Sequence, residues 1–542
     1  MTGERKRIHA GIIYADCERS ALGTRSRVAK DLAGKKVLRR TVERLSRAKR
    51  LDEIAVFCPA GQVDIIGALI KETGAVVVGL QQPVGISARI TRRKWALTSW
   101  RGGIGEATQF DEQMFTGEML ARMRDRGYYS VFSVPAEAVV LDAQLVDEMV
   151  EHHEEHGDEM RFTFTQAAPG LSGCMYRLDL LGDLTEARKS VGDLLAYDPD
   201  TPHADYIVQE CAYKVKERLY GSEFRYIADT ERSWAGLEKL LAGMDDESSP
   251  AEQIVMKMED IRTNTEKLPR EVVIEISGES SLRTKGYPHR QGNCGRGMMN
   301  LDIFEKIVKE LVEYDDLCLT LGGCGEPLAH PELVPMIEAA KAAGIFGINI
   351  ETDGRRLKGD LAERLRGAEV DTICVYLDAN SAEVYEKVKG QGGYDELAGQ
   401  VEDFLTQRNG GRPIVVPILV KTRETMGEME AFYDRWIRQG GCAVIEGYND
   451  FAGQIADRSV MNMAPPKRAQ CRRLAKWMTI LADGTVTICG QDYQGEGGVG
   501  NVKEKTVEAL WRSGELEDLR RAQSEGRYEV NNLCSACREW HR

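Results

Sequence analysis

The chain has 542 residues and a net charge of −14, from 72 Lys and Arg against 86 Asp and Glu. At about 150 residues per domain the length suits three or four domains, and 42% hydrophobic with 29% charged residues is a globular balance. The acidic balance argues against a nucleic-acid partner, no apolar run reaches the eighteen or so residues of a membrane span, and the charged start MTGERKR lacks a signal-peptide core; a cytoplasmic protein is expected, with a protein or small-molecule partner.

From the N-terminus, β-branched runs at 9–15, 53–59, 75–80, 128–135 and 160–165 alternate with segments of helical period at 36–50, 63–74 and 145–157. That rhythm predicts βαβ units and a parallel sheet. Arg39, Arg40, Arg44, Arg47 and Lys49 are read as a solvated helix face. In HHEEH, His152 and His156 stand one helical turn apart, a spacing that suits a shared metal. The order is not His-Glu-x-x-His and Gly157 follows, so a solvated helix terminus is expected. Residues 231–269 are rich in Asp, Glu and Ser without a strand signal, and read as a partly helical linker.

A second α/β block follows, with apolar runs at 272–277, 317–321, 347–352, 372–378, 413–420 and 442–448 separated by helix-like spans such as 333–344. Beyond about 466 come short strands, glycine turns and cysteines. The runs 477–482 and 485–489, joined at Asp483-Gly484, predict a hairpin with a type I′ turn. Thirteen cysteines is an odd count in a long chain, which suits a disulfide framework poorly. Cys17, Cys58, Cys174, Cys211, Cys294, Cys318, Cys324, Cys374 and Cys442 are scattered and read as small buried hydrophobes. Cys471, Cys489, Cys534 and Cys537 fall within the last 72 residues, and four thiolates suit tetrahedral zinc or an iron–sulfur cluster.

Three stretches resemble known families. Residues 8–59 resemble the nucleotidyltransferases that activate acidic sugars with CTP, which place a basic loop and a Gly-Lys turn after the first strand. Gly23, Arg25, Lys30, Gly34 and Lys35 fall at comparable places, and phosphates need such cations and backbone amides at a helix start. The family's Arg-Leu-Pro-Gly-Lys run is broken here to Arg-Ser-Arg-Val-Ala-Lys, and Glu137 replaces its metal-binding Asp, after Ala136. The resemblance implies a Mg-nucleotide pocket with Arg25, Lys30, Lys35 and Glu137.

LTLGGCGEPLAHPEL at 319–333, ETDGRRL at 351–357 and VYLDA at 375–379 together resemble the radical SAM barrel. The resemblance implies that Gly322, Gly323, Gly325, Glu326, Thr352 and Asp353 mark the S-adenosylmethionine pocket. Ser280, Thr284 and Tyr287 stand where the family's Cys-x-x-x-Cys-x-x-Cys should be, beside Leu282 and Pro288 at its usual neighbours. Alcohols and a phenol of pKa near 10 are poor ligands for a soft cluster. The pocket is therefore expected to be vestigial, with no reductive cleavage.

Cys471, twelve residues, Gly484, four residues and Cys489, then GNVKEKTVEALW and Cys534-x-x-Cys537, resemble the SPASM domain. That family's full pattern carries seven cysteines and two auxiliary clusters. Four cysteines here imply one [4Fe–4S] cluster, with zinc as the alternative. As a whole the chain resembles the spiro-SPASM proteins. That resemblance implies an α/β chain with a Rossmann-like nucleotidyltransferase-type domain at 1–230, a linker at 231–269, a partial (β/α)6 radical SAM barrel at 270–465 and a small cysteine-rich α+β SPASM domain at 466–542. It implies a binding or accessory protein of unassigned reaction. The alternative is a nucleotidyltransferase-type enzyme of sugar-nucleotide or glycan metabolism acting through the N-terminal domain.

Overall fold

β-branched and aromatic residues fill the runs that become strands, and the helical spans between them return each strand parallel to the last. The computed structural model describes residues 7–113, 115–244, 248–261, 266–279, 295–407 and 411–541. They belong to two units, Met1–Asn264 and Thr265–Arg542. Among the described residues no helix is long and apolar enough to cross a membrane.

The first unit holds β1 (His9–Tyr14), β2 (Asp31–Leu32), β3 (Lys35–Lys36), β4 (Glu53–Pro59), β5 (Val76–Leu80), β6 (Ser130–Pro135), β7 (Phe162–Thr165), β8 (Cys174–Arg177) and β9 (Ala212–Tyr213). Its sheet runs β5-β4-β1-β6-β8-β7-β9, with β2 and β3 paired separately. β1 pairs in parallel with both β4 and β6, while β8 is antiparallel to β6 and β7. Both faces are covered, as a parallel sheet requires. Ile13, Val56 and Val134 enter one core, and Ile12, Phe57 and Val131 enter the other, following the period-two alternation of a strand. The chain passes from β1 outward to β4 and β5, then returns to β6 on β1's other side. Open α/β sheets bind ligands at such a reversal, beyond the carboxyl ends of the strands.

The segment expected to be a linker is instead part of this unit. Helices Glu231–Ala242 and Ala251–Ile261 bury Leu237, Leu240, Leu241, Ile254, Val255 and Met258 in the same core as Ile13 and Val134. Those positions recur at three and four residues, one helix stripe each. The acidic and serine-rich outer faces concealed the stripe. Thr230 starts the first of these helices by accepting a hydrogen bond from the Ser233 amide at 3.2 Å.

The second unit holds β10 (Glu271–Ile274), β11 (Cys318–Leu321), β12 (Gly347–Thr352), β13 (Thr372–Tyr376), β14 (Ile414–Lys421), β15 (Val444–Gly447), β16 (Trp477–Ile480), β17 (Thr485–Thr487) and β18 (Gly498–Asn501). β10 to β15 are parallel and lie in chain order, with helices between, which is a partial (β/α)6 barrel. β16 then pairs in parallel with β10, and β17 and β18 add antiparallel strands, so the cysteine-rich segment extends the barrel's own sheet. The expected hairpin is present, between β16 and β17, but its turn is not type I′. That turn needs positive φ at two residues, and here Gly484 alone is left-handed, at φ 91°. The Leu481 amide donates to the Thr485 carbonyl and the Gly484 amide to that of Leu481, which makes a longer loop closed by glycine.

Candidate functional site

The four C-terminal cysteines converge from three segments of the second unit. Cys471 caps the short helix Arg472–Lys476, Cys489 follows β17, and Cys534 and Cys537 bracket the end of the helix Asn532–Ala536. Asn531 fixes that last turn, its side chain accepting from the Cys534 amide at 3.2 Å. The Arg472 amide donates to the Trp540 carbonyl, which ties the chain's final turn to the start of the segment. Leu474, Ile488, Leu519 and Trp540 line the same cavity as the four thiols. Burial in that apolar setting pushes Cys489 up to about 12 and Cys534 to about 11, and raises Cys537. The Arg468 and Arg473 guanidiniums oppose the rise at Cys534 and Cys537 respectively.

Gln491 and Gln523 also face this cavity, each 1% exposed. The Gln523 carboxamide acts on the Cys534 thiol through a side-chain hydrogen bond that favours the thiolate, while that of Gln491 has its oxygen and nitrogen without a hydrogen-bond partner among the described residues. A buried unpartnered amide costs roughly 1–3 kcal/mol. Four soft donors, an apolar wall, two buried amide groups and two nearby cations suit an anionic group that accepts hydrogen bonds, as a thiolate-bound iron–sulfur cluster does. Sequence reading found the thiols and missed the glutamines, which carry no motif.

The barrel's rim collects the second set. Glu326 is buried; its Oε1 accepts from the Thr352 hydroxyl at 2.6 Å and the Leu328 amide at 2.9 Å, and its Oε2 from the Asp353 amide at 2.9 Å. The ends of β11 and β12 are thus stitched through one carboxylate. Burial, then the neighbouring Asp353, hold Glu326 well above the usual carboxylate range. Glu275, just past β10, accepts from the Cys324 amide at 2.8 Å and is clasped by Arg296 at 2.7 and 2.9 Å. A charged residue inside the apolar run VVIEIS was the available signal for it.

The glycines here serve the chain itself. A Cβ on Gly325 would lie 2.0 Å from the Ser277 carbonyl oxygen and 2.7 Å from the Glu279 nitrogen, and Gly323 is left-handed at φ 108°. Gly325→Ala is expected to lower the stability of this unit by about 3 kcal/mol, read as an earlier urea midpoint; an unchanged midpoint would mean that the 277–279 backbone yields freely. Ser280, Leu282, Thr284, Tyr287, Pro288 and Cys294 lie outside the described residues. In the sequence itself, no three cysteines anywhere follow the Cys-x-x-x-Cys-x-x-Cys spacing.

In the first unit Glu137 sits two residues beyond β6, at the expected crevice, and is buried. Its companions are Asp229, Arg225 and Arg27. Arg225 donates to both oxygens of Asp229, at 2.9 and 2.6 Å, and to Glu112 at 2.8 Å. Arg27 donates to the Asp229 carbonyl and to Glu231, both at 2.7 Å. Among the predicted cations, Lys35 is paired with Glu43 at 2.7 Å, Lys30 lies 5.6 Å above the Trp234 ring, and Arg25 is exposed. Sequence reading missed Asp229, which stands two residues before the segment taken for a linker. Arg40 and Arg44 are buried rather than solvated, donating to the Leu32, Ala33 and Leu141 carbonyls. HHEEH is no helix terminus either, since its helix runs Ala143–Met160.

Burial first, then Asp229, push Glu137 up to about 8 from a usual 4.5. The folded state therefore binds a proton that the unfolded state releases between those values, and stability falls as pH rises from about 5 to 8. The loss reaches at most about 5 kcal/mol. Urea unfolding at several pH values should show this slope, and Glu137→Gln should flatten it; identical slopes would refute the assignment.

The sequence model of the SPASM iron-sulfur cluster-binding domain matches residues 471–538, and that of the Radical SAM superfamily matches residues 287–435. The second unit thus carries a radical SAM-type α/β fold with a SPASM domain at its C-terminus. A Treponema pallidum (strain Nichols) protein bearing the name "Uncharacterized protein" is 26% identical over 250 residues, 43% of this chain and 68% of its own length. The mycofactocin maturase MftC of Mycolicibacterium smegmatis is 25% identical over 181 residues, 33% of this chain and 44% of the maturase, so the chain spans under half of that relative. Among solved structures, a cytidylyltransferase from Leptospira borgpetersenii serovar Hardjo-bovis is similar with a TM-score of 0.32 at 14% identity, over 48% of this chain and 99% of that one.

Proposed function

We propose that the chain is a cluster-holding binding or accessory protein, with one [4Fe–4S] cluster on Cys471, Cys489, Cys534 and Cys537 and a barrel that does not cleave S-adenosylmethionine. The convergence of those four thiols on one apolar cavity carries this reading. Bound there, the cluster supplies one-electron transfer or a structural tie. Leu474, Ile488, Leu519 and Trp540 keep water from the thiolates, Arg468 and Arg473 favour the anionic form, and Gln491 and Gln523 offer amide donors. At the barrel, Ser280, Thr284 and Tyr287 in place of cysteines make a donor set that does not fit a cluster open to the cofactor. The pocket of Gly322, Gly323, Gly325, Glu326, Thr352 and Asp353 then serves binding alone. Anaerobically reconstituted protein mixed with S-adenosylmethionine and dithionite should release no 5′-deoxyadenosine; sustained release would overturn the reading.

A second reading, nucleotidyltransferase-type chemistry in the first unit, is favoured by the buried Glu137 beside Asp229 at the strand ends. The two carboxylates would hold Mg²⁺, and Arg25, Lys30 and Lys35 would meet the phosphates of a nucleotide. Calorimetric titration of the full chain with CTP and Mg²⁺ tests it, with binding lost in Glu137→Gln; no heat with any nucleoside triphosphate would remove it.

A further inference from the structure

We propose that His152, His156 and Glu210 form a binding site for a divalent transition-metal ion of the zinc type on the first unit. The helix Ala143–Met160 sets Glu148, His152 and His156 four residues apart, along one face. The sequence shows that much. The third donor comes from 54 residues further on, where the chain approaches β9 across this face. There the Glu210 carboxylate and a ring nitrogen of each histidine all lie within 4.8 Å of one another. The main-chain carbonyl of Glu210 also meets His152 Nε2, so the loop is held against the helix at this point.

The surroundings position the rings. His152 and His156 lie 4.6 Å apart between centroids, and the Tyr213 ring stands edge-on to His152 at 5.6 Å. The Tyr213 hydroxyl donates to Glu148 at 3.0 Å, which anchors that ring to the helix one turn below. Glu155 approaches His156 Nε2 only to 3.8 Å. Two imidazoles and one carboxylate are a borderline-soft donor set, suited to zinc, cobalt or nickel rather than to magnesium or calcium, which take oxygen ligands. A tetrahedral ion with bonds of about 2.1 Å spaces its donors about 3.4 Å apart. Side-chain rotation closes a triad from 4.8 Å to that spacing, and a fourth position stays open to water. Nothing here involves the cysteines, so the site stands whether or not the tail holds a cluster.

Cobalt titration of the full chain, followed by visible absorption, separates the two places. A nitrogen–oxygen site gives weak d–d bands, whereas cobalt on the tail adds intense sulfur-to-metal bands in the near ultraviolet. One Co²⁺ per chain is expected without the sulfur bands, displaced by Zn²⁺. His152→Ala and His156→Ala should weaken it by roughly a hundredfold, and Glu210→Gln by roughly tenfold. Glu210→Gln leaves the helix untouched, and unchanged far-ultraviolet dichroism in it excludes misfolding as the cause. Absence of this class of cobalt in the parent chain, or the same affinity in all three variants, would overturn the site.

Discussion

Cys489→Ala is expected to strip the chain of its iron. The parent protein, purified without oxygen, should hold about four irons and four sulfides, and the variant fewer than one of each. In the cavity Cys489 is raised further than Cys534, to about 12, and its neighbours there are Cys471, Cys534 and Cys537. Ligation needs the thiolate, so the metal has to supply the energy that ionises a thiol raised this far. With three thiolates left, the variant has no further cysteine lining the cavity among the described residues. Cys534→Ala and Cys537→Ala should behave alike, because Cys-x-x-Cys presents both from one helical turn. About one zinc and no sulfide in the parent would make the tail a structural knuckle. About eight irons would mean that the barrel finds ligands beyond Ser280, Thr284 and Tyr287.

Arg225→Met should destabilise the first unit by about 3–5 kcal/mol at neutral pH, the usual consequence of leaving a buried charge without its partner. Arg225 lies between Glu112 and Asp229, all three buried, and also acts on Glu137. Removing the guanidinium takes away the group that bonds both oxygens of Asp229 and one of Glu112, while Arg93 stays 3.5 Å from Glu112 and Arg27 still bonds the Asp229 carbonyl. Methionine keeps much of the volume, so packing contributes little to the change. Asp229→Asn in the same chain should restore part of the deficit. Urea unfolding of single and double variants measures the coupling. A loss under about 1 kcal/mol would mean that water reaches the cluster.

What could be read from the chain alone was local. Period-two and period-3.6 patterns placed β1, β4 to β7 and β10 to β17, because a strand's faces and a helix's stripe repeat within a few residues. Cysteine spacing marked the tail, and the lack of the three-cysteine motif is visible without any structure. Tertiary structure decided which charges are buried. Arg40 and Arg44 sit in a run as basic as any solvated face, yet carbonyls of Leu32, Ala33 and Leu141 receive them. Glu112, Glu137, Arg225 and Asp229 span more than a hundred positions and meet only because β6 and the segment before helix Glu231–Ala242 end at one crevice. His152 and His156 acquire Glu210, and the four thiols acquire Gln491 and Gln523, in the same way. A side chain's burial and partners depend on contacts between distant segments, and no short-range pattern encodes them.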